Sequence, residues 1–191
     1  MQIHFVKVHR VRKFGKRCKV QGLAHTHPHM QPYGRTALRK CDKYLPNFKN
    51  LKKLKSLNSK LDDTIKIDRT PTVRQLLQHT AGFTYNSSNN FLAEGYEENK
   101  LFHSSSRSLE EEVESISGLP LLYEPGSEWH YSISIDILAR ILEVVTKDKI
   151  QDIITENIFI PLEMKDTSFY IDEDNNKKLL ETFEYNSDKL K

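Results

Sequence analysis

The chain has 191 residues, 29 of them Lys or Arg and 26 Asp or Glu, for a net charge of +3, and 37% are hydrophobic. No apolar run reaches the roughly 20 residues of a membrane-spanning helix, and Lys7, Arg10, Arg12 and Lys13 interrupt any signal-peptide core, so a cytoplasmic location is the default expectation. Two cysteines, Cys18 and Cys41, are too few for a disulfide framework or a four-cysteine zinc site and are expected to be reduced thiols.

The near-neutral total hides a division. Residues 1–60 hold 16 basic residues and a single acid, Asp42, and so carry +15, whereas the rest of the chain carries −12. Residues 1–40 form a basic, His-rich segment. Ile3, Phe5, Val6, Val8 and Val11 have the spacing of one short strand, and residues 24–34, rich in His, Pro and Gly, read as irregular structure. His25, His27 and His29 alternate, and three histidines can hold zinc. No further ligand accompanies them, so a polar loop without metal is the expectation, and neither a metal nor a cofactor is expected anywhere in the chain. Arg10, Arg12, Lys13, Lys16, Arg17 and Lys19 can hold nucleic acid or anionic lipid by charge alone. An acid-poor start also fits an organellar transit peptide, although no serine precedes Ser56.

From Cys41 the pattern changes, and a domain is expected over 41–175. Thr72 and Gln75 form a capping box for a helix whose apolar face is Val73, Leu76 and Leu77, with Gly82 as the stop. The polar stretch Tyr85–Arg107 reads as a surface excursion. A second helix starts at Ser108, with Glu110, Glu111 and Glu112 in its positive first turn, and ends at Gly118. A third runs from Ser134 to Val145 with a stripe of Ile137, Leu138, Ile141, Leu142 and Val145. A fourth carries Ile150, Ile153, Ile154 and Ile158 and must stop before Pro161. Thr167–Ile171 alternates as a short strand. Residues 176–191 are a charged tail expected to fray.

Pro125-Gly126 predicts a tight turn, and the aromatic run Trp129-His130-Tyr131 leads from it into the third helix. Tyr131 at that junction can face a cleft. Asp42-Lys43-Tyr44-Leu45-Pro46-Asn47-Phe48 is similar to the segment that follows the nucleophile helix of serine β-lactamase-like hydrolases, the group of class C β-lactamases, related esterases and penicillin-binding proteins. Residues 72–85 resemble its TVRxLLxHTAGxTY signature, residues 125–132 its PGxxWxYS block, and residues 161–169 its PLGMxDTxF block. The four ordered blocks are spread over roughly two-thirds of the chain.

The resemblance implies an α+β fold: a partial β-lactamase/transpeptidase-like fold, mainly its helical lobe, without a complete antiparallel sheet. It also implies acyl-enzyme hydrolysis of a small-molecule ester, amide or β-lactam substrate. In that mechanism the serine of an S-x-x-K motif attacks, a tyrosine of a Y-[SA]-N-type motif serves as acid and base, and a K-T-G-like motif lies on a late strand. Only the second motif carries over, to Tyr131 with Ser132, and Ile133 stands where asparagine would be. No serine has a lysine three residues later, and Ser56 meets Ser59 at that distance. Without a cationic neighbour Tyr131 is expected to keep its proton at neutral pH. His79 and His130 are expected to be hydrogen-bonded packing residues, and Thr80 and Gly82 to shape the turn. The chain is therefore expected to be inactive alone and, lacking the sheet, to expose apolar surface and be marginally stable. Residues 1–40 occupy the place of the nucleophile helix, so the charge boundary reads first as a seam between sequences. A non-enzymatic module with a nucleic-acid-binding basic arm is the alternative.

Overall fold

In the computed structural model the described residues are 37–85, 91–101 and 107–170, together with the short strands Tyr185–Asn186 and Lys189–Leu190. The basic arm, His25, His27, His29 and Cys18 lie outside them. The chain divides into two compact units, with the boundary after Ile150.

The first unit opens with two 3-10 turns, Cys41–Lys43 and Pro46–Asn50. Strands β1 (Lys52–Leu54) and β2 (Thr64–Lys66) then pair antiparallel, with Lys53 opposite Ile65. Their Lys-rich composition has little strand propensity, and the sequence pattern does not announce them. What holds β1 is its other edge: Leu54 N donates to Leu121 O at 2.8 Å, and Leu121 N donates to Lys52 O at 2.8 Å. Leu54 and Leu121 are buried by this pairing.

Helix α1 (Val73–Leu77) starts at the expected capping box. Gln75 N donates to Thr72 Oγ1 at 3.3 Å, and Thr72 N donates to Gln75 Oε1 at 2.8 Å. It stops sooner than Gly82, because His79 takes a left-handed conformation (φ 54°) and Thr80 N turns back to Gln75 O at 2.8 Å. The stretch read as a surface excursion contains helix α2 (Phe91–Glu98). Leu92 and Tyr96 of that helix, and Leu101 beyond it, are buried. The Tyr96 hydroxyl meets the backbone of Thr84, and full burial holds its phenol well above the ordinary value. Helix α3 (Leu109–Ser117) has the second capping box, Ser108 with Glu111.

Helix α4 (Ser134–Thr146) packs against both α1 and α3. Its buried stripe is narrower than the sequence pattern suggests. Ile137 and Ile141 are inside, whereas Leu142 is 46% and Val145 58% exposed. Glu143 is buried instead, accepting from Arg140 Nη1 at 3.1 Å and from Ile150 N at 3.0 Å. An internal carboxylate is tolerable only when so paired.

Helix α5 (Ile150–Ile154) leads into the second unit, where a wider π turn, Thr155–Phe159, completes the expected fourth helix before Pro161. Met164 N donates to Phe159 O at 2.8 Å, and the Phe159 and Phe169 rings lie 5.8 Å apart. Thr167–Tyr170 is irregular rather than part of the expected strand, and Ile171 lies outside the described residues. The region expected to fray contains a small antiparallel hairpin of β3 (Tyr185–Asn186) and β4 (Lys189–Leu190). Among the described residues no helix is long and apolar enough to cross a membrane.

Candidate functional site

The segment 121–133 is laid along the turn that follows α1, and the backbone alone accounts for the placement. Leu122 N donates to Gly82 O at 2.7 Å, Gly126 N to Thr80 O at 2.7 Å, His130 N to His79 O at 2.9 Å and Ile133 N to Thr84 O at 3.4 Å. Two glycines make the approach possible. A Cβ on Gly82 (φ 89°) would lie 2.5 Å from Tyr123 O, and one on Gly126 (φ 92°) 2.6 Å from Gln75 Nε2. At Gly82 a side chain would meet backbone and force the two segments apart, whereas at Gly126 the Gln75 amide would have to shift and the positive φ would strain any other residue. Glu124 anchors the near end, accepting from Asp68 N at 2.9 Å and pairing with Lys53 Nζ at 2.9 Å. Burial opposes its ionisation, but Lys53 and the Asp68 and Arg69 N–H groups outweigh that and hold its carboxyl below the ordinary range.

This belt delivers Tyr131 to the surface just ahead of α4, with 60% of the residue exposed. Its ring lies 4.9 Å from that of His79 and is stacked on Tyr85 at 5.7 Å, the planes within 4° of parallel. Beneath it runs a polar line. Ser132 N donates to His79 Nδ1 at 3.3 Å, Ser132 Oγ lies 3.4 Å from the same nitrogen, and Ser132 Oγ is 2.7 Å from Ser134 Oγ. His130 Nε2 is 3.0 Å from Thr84 Oγ1. Both histidines are therefore hydrogen-bonded. Burial lowers the His79 imidazole below its ordinary value. Burial first, then the charges of Asp136 and Tyr131, raises the Tyr85 phenol. Asp136, in the first turn of α4, is pushed up to about 6 by burial.

Tyr85 and Asp136 were not legible as site residues. Tyr85 closes the TVRxLLxHTAGxTY block, which was the available signal; Asp136 has none in the sequence. Cys41 is buried, and burial, with Asp42 beside it, raises its thiol to about 12, which makes it a poor nucleophile. No cluster of metal-ligating side chains occurs among the described residues. A groove of about 140 Å³ lies elsewhere, between the Tyr44–Phe48 turn and the Arg140 and Val144 side of α4. None of the Tyr131 cluster lines it, and Arg140 there is engaged by Glu110 and Glu143. The tyrosine cluster is an open surface site. It can position a phenol, but the described residues around it do not exclude water from it.

The chain is similar to several known proteins. Residues 31–190 match the family model described as Beta-lactamase. Lovastatin esterase of Penicillium rubens is 27% identical over 113 residues, which are 57% of this chain and 28% of that protein. Esterase EstB of Burkholderia gladioli is 29% identical over 105 residues, 51% of this chain and 26% of the relative. Among solved structures EstCE1, a hydrolase with promiscuous acyltransferase activity, superposes with a TM-score of 0.53 at 29% identity, covering 66% of this chain and 31% of that one. The chain thus spans less than a third of the length of these relatives.

Proposed function

The chain belongs to the beta-lactamase family of hydrolases, and from that premise we propose that Tyr131 is its acid–base position for acyl transfer from an ester, amide or β-lactam. We further infer that these 191 residues do not complete the reaction alone. The observation that carries the proposal is the clamping of residues 121–133 against the turn after α1, which presents the Tyr131 ring between an anchored turn and the start of α4. In acyl-enzyme chemistry a serine oxygen bonds to the acyl carbon, the tyrosine takes the serine proton, and that proton passes to the departing alcohol or amine. The tyrosine position is supplied here. The nucleophile is not, because no serine in the chain precedes a lysine by three residues. Without that pair the phenol has no proton to accept, and its exposure leaves it in water, where such transfer gains little.

Labelling with a fluorophosphonate probe, read by intact mass, tests both parts. The chain itself should gain no adduct. A chimera carrying the family's S-x-x-K helix and its K-T-G-like strand around residues 41–170 should be labelled once. Tyr131→Phe in that chimera should slow labelling by on the order of 10²-fold or more. A stoichiometric adduct on the unmodified chain, or a chimera indifferent to Tyr131→Phe, would overturn the proposal.

A further inference from the structure

His79 bears on Tyr131 in three ways. It ends α1 in a left-handed conformation (φ 54°), unusual for a residue with a side chain. From there its carbonyl accepts His130 N at 2.9 Å, one residue before Tyr131, and its Nδ1 accepts Ser132 N at 3.3 Å, one residue after. Its ring lies 4.9 Å from the Tyr131 ring. The residues before and after the tyrosine, and the tyrosine ring itself, are thus all referred to one side chain and its own backbone. The chemistry also selects a tautomer. A backbone N–H can only donate, so Nδ1 must present its lone pair to Ser132, and the proton of the neutral ring must sit on Nε2. Ser132 Oγ, 3.4 Å from Nδ1 and 2.7 Å from Ser134 Oγ, extends the line into the first turn of α4. A ring protonated on Nδ1 would set two donors against each other at Ser132.

We propose that His79, as the neutral Nε2–H tautomer, is the positioning residue of the tyrosine site, fixing the backbone on either side of Tyr131 and packing against its ring. The proposal rests on the reading of Tyr131 as the acid–base position. His79 itself touches no reacting atom and acts through Tyr131 and Ser132.

Nuclear magnetic resonance on the whole chain tests it without any activity. In ¹⁵N-histidine-labelled protein, His79 should show an unprotonated Nδ1 and a protonated Nε2. His79→Gly keeps the left-handed backbone and removes acceptor and ring. It should speed exchange of the Ser132 amide about five- to tenfold, the loss of one net hydrogen bond, and shift the ¹³Cζ signal of Tyr131, assigned with Tyr131→Phe. The Leu76 amide within α1 should be unaffected. His79→Asn tolerates the same backbone, returns an oxygen acceptor, and should restore most of the Ser132 protection. A protonated Nδ1 in the unmodified chain would overturn the proposal, and that measurement decides even if both variants unfold. Unchanged Ser132 exchange and an unmoved Tyr131 signal in His79→Gly would overturn it as well. If labelling of the chimera proves indifferent to Tyr131→Phe while these signals behave as stated, the acid–base reading fails and the positioning geometry stands.

Discussion

A carboxylate in the first turn of a helix is normally favoured in its charged form by the free N–H groups there. At Asp136 burial outweighs that help, and the carboxyl is pushed up to about 6 even though its own N–H opposes the shift. The sign of the consequence follows from linkage. A carboxyl that holds its proton more tightly when folded contributes stability below its unfolded value near 3.8, and that contribution is lost as pH rises through about 6. Asp136→Asn should therefore stabilise the chain at pH 7 by on the order of 1–2 kcal/mol, with the gain vanishing near pH 4. Urea unfolding of both proteins at the two pH values checks it, and a gain that persists in acid would show packing rather than ionisation to be the cause. The same carboxylate adds to the burial that raises the Tyr85 phenol, so the substitution also reports on the stacked pair beside the candidate site.

Among the elements, the two capping boxes were legible because their partners stand three residues apart and need nothing else from the fold. Thr72 with Gln75 and Ser108 with Glu111 form as their spacing predicts. Helix α1 has only five residues, too few to be stable by propensity, so its cap bears heavily on where His79 sits. Thr72→Ala should cost about 1 kcal/mol, and Thr72→Ser only a small part of that, as measured by chemical denaturation. Helix α2 shows the opposite case. Its polar flanks and Gly95 argue against a buried helix, and glycine is a poor helix former. The structure supplies the reason for the glycine: a Cβ there would lie 3.0 Å from Leu61 Cδ1 and 3.2 Å from Leu119 Cδ2. The close approach that buries Leu92 and Tyr96 depends on residues remote in sequence, so no local pattern reveals it. The stripe of α4 failed for the same reason, since periodicity identifies an apolar face but not how much of it is covered.

At the scale of the molecule, that uncovered part matters. Ile135, Leu142 and Val145 are 48%, 46% and 58% exposed along α4, and Trp129, just before the helix, is 69% exposed. Apolar surface of this kind promotes association. Leu142→Lys with Val145→Lys should raise the concentration at which the protein aggregates while leaving its thermal midpoint little changed, because neither side chain belongs to the core and cations suit a helix C-terminus. Light scattering against concentration, paired with a thermal melt, reads the two effects separately. The sequence by itself determined the family, the position of Tyr131 before α4, the absence of a serine–lysine pair and the capped helix starts. All of these are written in residues a few positions apart. Only the tertiary structure decided that β1 is held by Leu121, that α2 is buried and that His79 reaches Ser132 across 53 positions of sequence. Those outcomes depend on hydrogen bonds and close packing between segments distant in sequence, which no local pattern encodes.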